Sequence, residues 1–156
     1  MTVLTSESAR IQFALRDEIV ALAEEGLREQ DVQAREDYFF GTVPFEGVTV
    51  HDIGEQYSDG VIGLHDVGYR LAVTLVAAKT GDALLVTDWL LCWREAIRRR
   101  FQDQRLPVGE DDGIRHHNTK VEGGQPANAS KFPNHRIHQV VVVVWNRESK
   151  TTPRVR

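Results

Sequence analysis

Residues Asp66-Val67-Gly68-Tyr69-Arg70-Leu71-Ala72-Val73-Thr74-Leu75-Val76-Ala77 alternate, with Val67, Tyr69, Leu71, Val73 and Leu75 at every second position. A two-residue period marks a strand with one face on a core, and it sends Arg70 and Thr74 to the wetter face. The turn Ala78-Lys79-Thr80-Gly81 follows, and the apolar spacing then changes to three and four through Leu85, Trp89, Cys92, Trp93, Ala96, Ile97 and Phe101. That spacing predicts a helix starting near Asp82, an acceptable N-cap, and running to about Gln104. A second strand is expected at Ile137 to Trp145, whose five consecutive valines suit a strand inside a sheet, covered on both faces or facing a partner on one.

Outward from this unit, Ile11, Leu15, Ile19 and Leu22 form an apolar stripe, widened by Phe13, Val20 and Ala23. They predict a helix from Ser6 to Glu25, capped by Thr5, Ser6 or Ser8 and stopped by Gly26. Val48 to Ile53 alternates as a short strand, and Gly54 to Gly63 reads as a turn or flexible loop. From Arg105 to His135 no period holds, because Pro107, Gly109, Gly113, Gly123, Gly124, Pro126 and Pro133 interrupt it. A loop over 105–135 is therefore expected, long enough to suggest an element that orders on assembly. The tail from Arg147 is expected to be loose. The fold class that results is α+β: a single domain over residues 1–156, with a mixed or antiparallel sheet of about four strands packed against two main helices.

Composition narrows the classes. The chain is 41% hydrophobic and 27% charged, as in ordinary globular proteins. Its longest apolar run falls far short of the roughly 20 residues that span a bilayer, and Met1 to Glu7 lacks a basic region followed by an apolar one. Neither a signal peptide nor a membrane anchor is expected. Cys92 is the single cysteine, so an intrachain disulfide is impossible, which is compatible with a cytosolic setting. Charge is uneven: residues 1–60 carry thirteen acids against four arginines, a balance of −9, whereas residues 94–156 carry thirteen basic residues against seven acids, a balance of +6. Such asymmetry suits a nucleic-acid-binding half, or a subunit whose acidic face meets a neighbour's basic face.

No stretch carries a catalytic motif. His116, His117, His135 and His138 could supply imidazole ligands to a transition metal, but their spacing matches no metal signature, and a structural or surface role is favoured. Glu110-Asp111-Asp112 has the charge of a cation loop without the alternating oxygens that one needs. Lys79-Thr80-Gly81 lacks the glycine-rich run of a phosphate loop. Cys92, between Trp89 and Trp93, is read as core packing rather than as a nucleophile. Arg94, Arg98, Arg99, Arg100 and Arg105 could grip phosphates or form an intersubunit surface. With the acids at 110–112, Arg94, Arg98, Arg99 and Arg100 are the interface candidates.

The order of elements, carried by Ser8 to Leu22, Tyr69 to Ala77, Gly81 to Phe101 and Arg136 to Trp145, resembles the small tail-terminator and minor tail proteins of long-tailed bacteriophages, which are similar to head-tail connectors. The resemblance covers about half of the chain and lies in pattern rather than in an exact motif. It implies a non-enzymatic α+β subunit that assembles with itself into a ring, commonly a hexamer, capping the tail tube. It further implies tail-tube or head-connector partners, no cofactor, and a location in the virion or host cytoplasm. Two alternatives stay open: a metal-dependent or metal-binding protein using the histidines, and a nucleic-acid-binding module using the arginine-rich helix end.

Overall fold

The computed structural model describes residues 6–24, 32–34, 39–40, 43–44, 47–59, 64–79, 83–106, 114–126 and 132–149. In chain order the elements are α1 (Glu7–Glu24), β1 (Val32–Ala34), β2 (Phe39–Phe40), β3 (Val43–Pro44), β4 (Gly47–Asp59), β5 (Leu64–Ala78), α2 (Ala83–Phe101), β6 (Ile114–Pro126) and β7 (His135–Ser149). Four long antiparallel strands run β4-β5-β7-β6, and β1 adds a short parallel pairing on β4 over Val48 to Val50. β2 and β3 pair separately with each other. The fold is α+β as expected: among the described residues two helices and a sheet of four long antiparallel strands, within the mixed or antiparallel arrangement of about four strands that the periods suggested.

Both helices cover one face of the sheet. Ile11, Leu15 and Ile19 of α1, and Leu90, Trp93, Ile97 and Phe101 of α2, close over Val48, Val50, Val67, Tyr69, Leu71, Val73, Leu75, Val140, Val142 and Val144. Alternation puts the buried side chains of β5 and β7 opposite one another, as in Leu71 against Val142 and Val73 against Val140. The valine run is explained by position: β7 lies between β5 and β6, so Val143 and Ile137, on the face away from the helices, are buried too.

α1 begins at Ser6, whose Oγ accepts from the Ala9 amide at 3.1 Å, which selects one of the three expected caps. Its apolar stripe is narrower than expected. Phe13 and Val20 are exposed, and Phe13 lies under the Arg16 guanidinium, 5.0 Å from the ring centre. Cys92 also departs from the expectation, for it is exposed. The buried positions 90, 93, 97 and 101 centre the stripe between Leu90 and Trp93, and at about 3.6 residues per turn Cys92 falls towards the opposite side of the helix. Thr80 to Asp82 and Gly26 lie outside the described residues, and with them the expected helix stop and the Asp82 cap.

Three expected irregular segments are strand. β4 continues through Tyr57 to Asp59 because a bulge at Ile53, with Gly54 at φ +126°, restores pairing to Arg70 and beyond. β7 continues through Ser149, and Arg147 pairs with Asp66 at 3.0 Å. The largest correction falls in 105–135, where β6 pairs along β7 from Ile114 to Pro126. Register shifts between His116 and Asn118 and between Val121 and Gly123 break the alternation twice, which is why no period is visible there.

At one end of the buried face, the Tyr69 hydroxyl donates to both carboxylate oxygens of Glu148, each at 3.0 Å. Burial, followed by the Glu148 charge and hydrogen bond, pushes the phenol far above its ordinary value. Because the folded value lies above the unfolded value of about 10, this contribution is complete below that pH and is lost as pH rises through the alkaline range. Stability should fall above pH about 10, Tyr69 accounting for at most about 1.4 kcal/mol per pH unit. Urea midpoints between pH about 9 and 11.5 should decline less steeply in Tyr69→Phe; an unchanged slope would refute the assignment.

Candidate functional site

α2 ends in a way that fixes it to the sheet edge. After Phe101 the chain takes a left-handed step at Asp103, with φ 57°, a conformation that aspartate tolerates at a helix C-terminus. The Asp103 amide then donates to the Thr119 carbonyl at 2.8 Å, and the Val121 amide donates to Gln102 Oε1 at 2.6 Å. Lys120 pairs with Asp103, holding that carboxyl below its ordinary value. These contacts cover part of the outer edge of β6 and hold α2 over β6 and β7.

Between helix and strand lies a groove of about 530 Å³, lined by Leu91, Arg94, Glu95, Arg98, Gln102, Val121, Gly123, Gly124 and Val140. Arg94 is its fixed wall: Nη2 donates to the Gly124 carbonyl, and Nη1 lies 3.3 Å from His138 Nδ1. A Cβ at Gly124 would sit 2.8 Å from Arg94 Nε, so glycine is what lets the guanidinium lie flat against the strand. Burial pushes the His138 imidazole below its ordinary value, and the Arg94 and Arg136 charges add to the effect. Both its burial and the two neighbouring cations thus disfavour the charged form of His138.

The arginine cluster expected as one patch is divided around the helix. Arg94 and Arg98 line the groove. Arg99 points to solvent and pairs with Glu95, which Arg98 also approaches at 4.0 Å. Arg100 turns towards α1, where it pairs with Glu18, its guanidinium 5.3 Å from the Phe101 ring centre. Glu110, Asp111 and Asp112 lie outside the described residues.

Strand register sets the candidate histidines apart along the sheet. His116 pairs across from Asn146 while His138 lies eight residues earlier on the same strand, a separation of about 26 Å along β7. His117 falls within a bulge next to His116, and His135 points to the sheet face opposite His138. Among the described residues no group of three or more His, Cys, Asp or Glu is placed to hold a metal ion. No described helix is long and apolar enough to cross a membrane.

The sequence pointed to Arg94 and Arg98 but not to the groove they line. Leu91, Val121 and the Gly123-Gly124 pair carry no signal of their own, and the glycines read only as breakers. No family profile matches this chain, and no curated protein matches its sequence.

Proposed function

We propose that this protein is a non-enzymatic assembly subunit of a phage or prophage tail or neck, forming a ring by head-to-tail contact between copies. The observation that carries the reading is an exposed acidic patch on β4 and an exposed basic patch on α2, the helix lying over β6 and β7. β4 lies towards one edge and β6 forms the other. On the β4 side Asp52 and Glu55 are exposed beside Ile53 and Tyr57, the last 72% exposed. On the β6 side α2 presents Arg98 and Arg99, their side chains 61% and 73% exposed, with Glu95 shared between them. Two unlike, complementary patches on one subunit favour a heterologous contact, and such a contact closes into a ring when the rotation per subunit permits. The element order resembling tail-terminator proteins supports the same use.

The test is the mass in solution. Native mass spectrometry at low salt should show a closed multiple of the 17.7 kDa subunit, with a hexamer as the expected form. Raising the salt should shift it towards monomer, since exposed charges are screened within about 10 Å at 0.1 M. Arg99→Glu should weaken assembly, and Asp52→Lys on the opposite edge should partly restore it in the double variant. A monomer at every concentration and salt would remove the proposal. Salt-sensitive retention of DNA by the wild type, abolished by Arg99→Glu, would favour the phosphate-binding reading of the same arginines.

A further inference from the structure

We propose that the groove between α2 and β6 binds a small organic anion with an apolar body, the charged head lying between Arg94 and Arg98 and the body covering Leu91, Val121 and Val140. Three observations converge on this ligand class. First, the groove has the dimensions of a small-molecule site, about 530 Å³, where such sites range from about 300 to 1,000 Å³. Second, its wall is amphipathic: Leu91 is 45% exposed on the helix side, Val121 is half-buried, and Val140 forms buried floor. An exposed leucine beside two guanidinium groups matches a ligand that is apolar at one end and anionic at the other.

Third, the inner part of the positive charge, at Arg94, is not neutralised from within. Among the described residues no carboxylate pairs with Arg94 or Arg136, and buried Arg136 Nε has no acceptor. Glu95, in the groove lining, pairs with Arg99 and lies 4.0 Å from Arg98, which leaves Arg94 as the charge it does not offset. His138 faces Arg94 from α2 and Arg136 on its own strand, while its cross-strand neighbours, Leu75 and Pro126, carry no charge. A partly buried guanidinium without an anionic partner retains an unspent preference for one, and charge-assisted bonds to oxyanions are roughly twice as strong as neutral ones. Arg94 is also pre-positioned by the Gly124 carbonyl, so little side-chain freedom is lost when an anion arrives.

The probe is the fluorescent anion 1-anilinonaphthalene-8-sulfonate, titrated into the full chain at constant ionic strength. Saturable binding of one equivalent is expected, displaced by decanoate but not by decyltrimethylammonium, which has the same apolar body and the opposite charge. Arg98→Gln should raise the apparent Kd about tenfold. Leu91→Gln should raise it severalfold, and both substitutions fall at exposed positions where folding is not at stake. Filling the site should also raise the pH at which the His138 imidazole titrates, followed by NMR, because the bound anion offsets the Arg94 charge. Absence of saturable binding, equal displacement by the cationic amphiphile, or a Kd indifferent to Arg98→Gln would each overturn the proposal. Binding lost in step with self-association would assign the groove to a second copy of the chain and overturn the ligand class. Because Arg99→Glu tests assembly and Leu91→Gln, at a groove residue outside the assembly patch, tests the groove, the two proposals fail separately.

Discussion

Replacing Trp93 by alanine is expected to destabilise the domain by about 3–5 kcal/mol, the range for removing a fully buried large aromatic side chain. Trp93 is 0% exposed and sits among the helix residues that close the core over β5 and β7. It also meets Trp89 edge-on, with ring centres 6.3 Å apart, a geometry that adds to the packing of the pair. Domains of this kind have stabilities of about 5–15 kcal/mol in all, so the substitution should consume a large share and expose the groove by loosening α2. Urea unfolding followed by circular dichroism measures the change. A loss below about 1 kcal/mol would mean that α2 packs through other residues. Trp93→Phe, which keeps a ring and drops an indole N–H that has no acceptor among the described residues, should recover much of the loss.

Gly68→Val should be the second most damaging substitution, at about 2–3 kcal/mol. Gly68 lies across from Trp145 on the face away from the helices, and a Cβ there would meet Val143 Cγ1 at 2.9 Å and two carbons of the Trp145 ring at 3.0 Å. The indole therefore occupies the space that a side chain at position 68 would need. Since β5 and β7 are the two central strands, neither can shift without disturbing pairing on both sides. Trp145→Ala in the same chain should relieve the clash. A double-mutant cycle should then show a coupling of about 0.5–3 kcal/mol, the double variant losing less than the two single losses summed. Additive losses would show that the ring is not the obstacle.

The elements with an unbroken period were legible in the sequence. β5 announced itself through five alternating residues, and α1 and α2 through apolar spacings of three and four, because each of these elements buries one face along its whole length. The extension of β4, the whole of β6 and the end of β7 were not legible. In β4 and β6 a bulge inserts an extra residue and turns the following side chains to the other face, which erases alternation while leaving the hydrogen bonds intact. Cys92 shows a related limit on helices: its spacing of three from Trp89 is acceptable for a core position, but it lies about two and a half turns from buried Phe101, so α2, seated through Trp93, Ile97 and Phe101, sends it to solvent.

By itself the sequence determined the α+β class, the two helices, the central strands and the excess of positive charge after residue 93, all of which depend on neighbours within a few residues. Tertiary structure decided what those charges can do. It divided one run of arginines among α1, solvent and the groove, set His138 about 26 Å along β7 from the level of His116, and brought Gly124 against Arg94 across thirty positions of chain. Such pairings follow from strand register and helix rotation, which depend on long-range packing and leave no local mark in the residues they bring together.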